Sequence, residues 1–91
     1  MGLFKDDHTV QVAGSTVAVT GTTGLVHATW TLHLDGKAAD SAEAAGNFTL
    51  RGDLPDGSQV LARVFQSLMG PTEVTVEHEG TEIARFTGFV A

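Results

Sequence analysis

Residues 26–34 constrain this chain more than any other stretch. Their even positions hold Val26, Ala28, Trp30, Leu32 and Leu34, and their odd positions hold His27, Thr29, Thr31 and His33. In an extended strand successive side chains point to opposite faces, so one face is apolar and the other polar. A helix would scatter the same residues around its circumference, and their β-branched and aromatic content also favours a strand. Trp30 therefore belongs to a core.

The same period of two recurs along the chain. Thr9-Val10-Gln11-Val12 alternates, Gly14-Ser15 interrupts, and Thr16-Val17-Ala18-Val19-Thr20 alternates again. Asp35-Gly36 follows the Trp30 strand at once, the dipeptide suited to a two-residue hairpin with positive φ. Residues 37–45 are ambiguous: their alanines suit a short helix, but the preceding turn calls for an antiparallel partner, so a strand to about Ser41 is expected. Asn47-Phe48-Thr49-Leu50-Arg51 reads as a strand closed by the turn signals Asp53, Pro55 and Asp56-Gly57. Residues 58–68 carry apolar groups on both faces, with Val60, Ala62 and Val64 opposite Leu61 and Phe65, as in a central strand or one that bends between two sheets. Glu73-Val74-Thr75-Val76-Glu77-His78 alternates, Glu79-Gly80 turns, and residues 81–86 return.

Seven to eight short strands at such spacings predict an all-β fold, an antiparallel β-sandwich. The expected core gathers Val10, Val12, Val17, Val19, Leu32, Val64, Val74, Val76 and Ile83 around Trp30. Ninety-one residues suffice for a single domain, since a second core would have too little chain to bury. Residues 1–7 are expected to be flexible, and the apolar Gly88-Phe89-Val90-Ala91 to pack onto the fold.

Composition narrows the chemistry. Five Lys and Arg against eleven Asp and Glu leave a net charge of −6, split evenly about residue 45. That balance argues against nucleic acid or an anionic membrane as the partner, because both reward clustered cations. Absent cysteine excludes disulfides, thiolate catalysis and cysteine-based zinc sites. No apolar run approaches the roughly 20 residues of a membrane-spanning helix, and the first residues do not form a signal peptide. A cytoplasmic protein is expected. The Ala- and Gly-rich usage, with Arg preferred over Lys, matches a GC-rich bacterial genome.

Several features in order resemble the β-sandwich domain of the Fas apoptotic inhibitory molecule family. They are His8-Thr9-Val10-Gln11-Val12, Gly21-Thr22-Thr23-Gly24, Leu34-Asp35-Gly36-Lys37, Phe48-Thr49-Leu50-Arg51-Gly52 and the late strand closed by Glu79-Gly80. The resemblance implies a compact antiparallel sandwich without a catalytic site, acting through protein contacts. The alanine-rich residues 38–45 depart from that family's pattern.

The four histidines are the obvious metal candidates, but none has ligand spacing. His27 and His33 share a face roughly 20 Å apart along the strand, too far for one ion. Glu73, Thr75 and Glu77 should share the exposed face of one strand, where carboxylates serve solubility and edge protection rather than acid–base work. Serines and threonines are plentiful, yet no Gly-x-Ser-x-Gly elbow or phosphate-cradling loop occurs, and Gly21-Thr22-Thr23-Gly24 reads as a turn. Arg51-Gly52-Asp53 and the sequon Asn47-Phe48-Thr49 are chance matches unless the chain is secreted.

The most suggestive feature is apolar. Phe65-Gln66-Ser67-Leu68-Met69-Gly70-Pro71 carries three large apolar groups into a turn, where chains are usually polar. Such a loop either closes the end of the sandwich or offers a contact surface, which Leu61 would extend. The leading expectation is a non-enzymatic interaction module binding a protein partner, or itself as a homodimer, through Leu61, Phe65, Leu68 and Met69. The alternative is a sugar or metabolite binder, using the face of His27, Thr29, Thr31 and His33 or a cleft between the sheets. A metal-dependent enzyme would need the dispersed histidines and acids to converge. No catalytic residue, metal or cofactor is expected.

Overall fold

The computed structural model describes residues 5–22, 28–43, 46–66 and 72–89, in eight antiparallel strands. These are β1 (Lys5–Val12), β2 (Ser15–Thr22), β3 (Thr29–Leu34), β4 (Lys37–Glu43), β5 (Phe48–Asp53), β6 (Gln59–Phe65), β7 (Thr72–His78) and β8 (Thr81–Phe89). Each half of the chain makes its own four-stranded meander, β1-β2-β3-β4 and then β5-β6-β7-β8. The two sheets pack as a β-sandwich, with β4 and β3 against β5 on one side and β1 meeting β8 on the other. Among the described residues no helix is long and apolar enough to cross a membrane.

Three of the hairpins use a two-residue turn with both residues at positive φ: Ala13-Gly14, Asp35-Gly36 and Glu79-Gly80. This mirror-image turn matches the right-handed twist of the strands it joins. The first lies one residue earlier than the Gly14-Ser15 interruption suggests, and Ser15 is already the first residue of β2. The first strand starts at Lys5, inside the stretch expected to be flexible.

Alternation sorts the side chains as the sequence implies. Val12, Val17, Val19, Trp30 and Leu32 of the first sheet meet Leu50, Val60, Ala62, Val64, Val74 and Val76 of the second in one buried cluster. Leu54, from the β5–β6 loop, closes it at one end. Burying a Val or Leu side chain is worth about 1.5–3 kcal/mol, so this cluster is what holds the two sheets together. Residues 37–43 are strand, two residues beyond the expected Ser41. The turn chemistry of Asp35-Gly36 decided this: once the hairpin forms, the alanines have a partner strand to pair with.

Two core expectations are corrected. Ile83 is 39% exposed. A β-bulge on β8 sets Val76 opposite Ala84 but Glu77 opposite Glu82, so Ile83 is the extra residue and Ala84 and Phe86 pack against the core instead. Val10 is half-buried at the margin rather than central. Gly21 and Thr22 are not turn residues either, because β2 runs through both. Gly21 pairs with Trp30, and a Cβ there would stand 2.6 Å from Trp30 Cζ3, so the indole lies flat across the glycine. Only a residue without a side chain admits the ring.

Asp40 ties the sheets at their β4–β5 side. Its carboxylate accepts the backbone N–H of Ser41 at 2.8 Å and that of Arg51 on β5 at 3.0 Å. The second bond occupies an edge-strand donor that would otherwise invite another strand. At the opposite end of β6, Asn47 Oδ1 accepts the Gln66 backbone N–H at 3.2 Å, and Gln66 Nε2 donates to the Gly46 carbonyl at 3.1 Å.

Candidate functional site

The outer face of the β5–β8 sheet is the most differentiated surface among the described residues. Strand β6 turns Val60, Ala62 and Val64 inward, which leaves Leu61, Arg63 and Phe65 on the outer side. Register then sets three cross-strand rows: Phe65, Glu73 and Thr87; Arg63, Thr75 and Arg85; Leu61, Glu77 and Glu82. Phe65 is 41% exposed and Leu61 half-buried.

Between these strands lies a groove of about 260 Å³ lined by Arg63, Phe65, Glu73, Thr75, Glu77, Glu82 and Arg85. Its floor is Thr75, buried although it stands on the outer face, because the long arginines opposite it on both sides cover it. Arg63 Nε donates to Glu77 Oε2 at 2.7 Å, and Arg85 Nη2 donates to Glu82 Oε1 at 3.0 Å. The hydrogen bond that Arg85 donates to Glu82, then the charges of Glu82 and Glu73, hold the Arg85 guanidinium still more firmly charged than usual. Glu73, Thr75 and Glu77 do share one face, as expected, but Thr75 is a floor rather than an exposed neighbour.

Leu68 and Met69, the other members of the expected contact loop, lie outside the described residues. So does His27. Its companions Thr29, Thr31 and His33 do share the outer face of β3, all half-buried, and Thr31 Oγ1 and Ser41 Oγ stand 3.3 Å apart in a cross-strand hydroxyl pair. They do not line the groove on the outer face of β5–β8.

The remaining histidines are committed separately. His8 stacks on Phe86 with ring centroids 4.9 Å apart, joining β1 to β8. His78 Nε2 stands 2.8 Å from Ser58 Oγ, which in turn lies 2.5 Å from Asp56 Oδ1. An ionised carboxylate can only accept, so the Ser58 hydroxyl donates to Asp56 and accepts from His78 Nε2–H. The order carboxylate–hydroxyl–imidazole differs from a nucleophile relay, in which the imidazole sits in the middle to take the hydroxyl proton. Here the hydroxyl proton stays on Ser58 and is donated to the ionised Asp56 carboxylate, whose pKa the Ser58 hydrogen bonds keep below its ordinary range. With the Ser58 backbone N–H also donating to Asp56 Oδ1 at 2.8 Å, the cluster pins the β5–β6 loop to β7. Asp56-Gly57-Ser58 is legible in sequence as a turn; that His78 completes it is not.

Among the described residues no three His, Asp or Glu side chains stand close enough to hold a metal ion. Arg51 and Asp53 are exposed on β5 but flank a buried Gly52, so the tripeptide lies in a strand rather than at a loop tip. Comparison with protein-family models, with curated proteins and with solved structures finds no match to this chain.

Proposed function

We propose that this chain is a non-enzymatic interaction module, binding a protein partner or a second copy of itself through the outer face of β5–β8 around Phe65. The observation that supports this reading most directly is Phe65 itself. A large aromatic ring, 41% exposed, stands at the rim of a groove whose other sides are charged. A stable protein contact characteristically pairs an aromatic anchor with a polar rim containing arginine, and this face supplies both. Leu61, two positions along the same face of β6 from Arg63, extends the apolar area. The resemblance to the Fas apoptotic inhibitory molecule domain points the same way, towards action through protein contacts.

The test is a Phe65→Ser/Leu61→Ser double variant, shown folded by circular dichroism and used beside wild type. Both are offered as bait to a soluble extract of the source organism and examined by sedimentation velocity. Expected is a protein captured, or a dimer formed, by wild type and lost in the variant. Equal recovery by both, or a wild type that captures nothing and stays monomeric, overturns the reading. A second reading, small-ligand binding, draws on a different cavity, beside the β3–β4 hairpin.

A further inference from the structure

A second cleft, of about 400 Å³, lies where the β3–β4 hairpin meets the end of β5 and the loop after it. Its walls are Leu34, Asp35, Lys37, Ala38, Ala39, Asp53, Leu54 and Pro55. This volume falls in the range of small-molecule sites, which favour junctions between packed layers.

Local sequence builds the cleft. The β3–β4 register sets Leu32 opposite Asp40 but His33 opposite Ala38, so Ala39 is the extra residue of a bulge, and Ala38 and Ala39 add no bulk. On the facing strand Gly52 lets β5 approach closely: a Cβ there would meet Leu34 Cδ1 at 2.8 Å and Ala39 Cβ at 3.1 Å. The lining combines two carboxylate residues, Asp35 and Asp53, and one ammonium residue, Lys37, with the aliphatic Leu34, Ala39, Leu54 and Pro55. Asp35 is held in place by its turn and by the Thr16 backbone N–H, which donates to Oδ1 at 2.9 Å.

We infer that this cleft binds a small zwitterion with an apolar side chain, of the α-amino acid class. A ligand ammonium answers Asp35 and Asp53, a ligand carboxylate answers Lys37, and the side chain covers the aliphatic lining. An uncharged apolar molecule would use none of the three charged groups, and a molecule with one charge would leave the opposite group unanswered. Asp35, Lys37 and Asp53 are all exposed, so solvent weakens each ion pair and the expected affinity is on the order of millimolar.

The probes are L-leucine, its amine analogue isopentylamine and its acid analogue 4-methylpentanoate, titrated into isotopically labelled protein by ¹H–¹⁵N NMR. L-leucine is expected to shift the amides of residues 34–39 and 53–54 in a saturable manner, with both analogues several-fold weaker. Lys37→Met and Asp53→Asn, each with a wild-type-like spectrum elsewhere, should weaken L-leucine by up to about fivefold, the range for exposed ion pairs. Lys37→Met should leave isopentylamine unchanged, and Asp53→Asn should leave 4-methylpentanoate unchanged. The inference is overturned if L-leucine shifts nothing at the cleft or if either analogue binds as tightly. It is equally overturned if the two variants bind L-leucine like wild type.

Discussion

Two side-chain environments decide much of this molecule's stability. Trp30 is fully buried and its ring occupies the space that a Cβ on Gly21 would need. Trp30→Ala should cost about 3–5 kcal/mol, against a total on the order of 5–14 kcal/mol for a domain of this length. Gly21→Ala forces ring or backbone to shift and should cost about 1–3 kcal/mol. Urea denaturation of both variants checks this, and a Gly21→Ala midpoint equal to wild type would show that the contact relaxes freely. Asp56 offers a pH-dependent case. Hydrogen bonds from Ser58 depress its folded-state pKa, so its contribution is present above the ordinary value of 3.8 and is lost as pH falls through the lower folded value. Wild type should therefore be more stable than Asp56→Asn at neutral pH, and their urea midpoints should converge as acid protonates the carboxyl.

The strands and turns carry their own consequences. Ala13 holds φ of 49° in the first hairpin turn, a conformation that suits asparagine better than alanine. Ala13→Asn should raise stability by about 0.5–1 kcal/mol, read as a higher thermal midpoint. At the β8 bulge the contrast is between neighbours. Ile83→Thr, at an exposed extra residue, should change stability by no more than about 0.5 kcal/mol. Phe86→Ala removes a ring packed on the core and stacked on His8, and should cost about 2 kcal/mol, below the fully buried range because Phe86 is only half-buried. A reversed order in denaturation would mean that the register of β8 is one residue out.

At the scale of the whole molecule, the radius of gyration of 12.5 Å sits close to the roughly 12 Å expected of a compact chain this long. Each sheet is formed by one half of the sequence, yet neither half has an inner face of its own that water does not reach. The core cluster takes members from both. Unfolding should therefore be one cooperative transition, although the topology looks divisible. The single tryptophan lies in the first sheet, so its fluorescence reports that half while far-ultraviolet circular dichroism reports both. The two curves should coincide within error in urea. A fluorescence transition separated from the dichroism transition would mean that the sheets fold independently.

Strand identity and the Trp30 core were legible from residue order alone, because an extended chain with one buried face writes its burial pattern at period two. The positive-φ hairpins at Asp35-Gly36 and Glu79-Gly80 were legible too, since few residue pairs tolerate that backbone. Bulges were not. An added residue on β8 or β4 depends on how two strands align, and it moved Ile83 outward and opened the cleft at Ala39. The alanines of residues 38–45 suit helix or strand by composition, and two of them, Ala38 and Ala39, line that cleft. Phe65 and Leu61 were recognisable as surplus apolar groups on a strand already buried on its other face. Their setting came only from cross-strand register, which placed arginines over Thr75 and carboxylates beside them. The same holds for Asp40 reaching Arg51 and for His78 reaching Ser58. Such contacts join residues 11 and 20 positions apart, and a side chain's own sequence neighbourhood carries no record of a partner that distant, because only the packing of the sheets brings them within hydrogen-bonding reach.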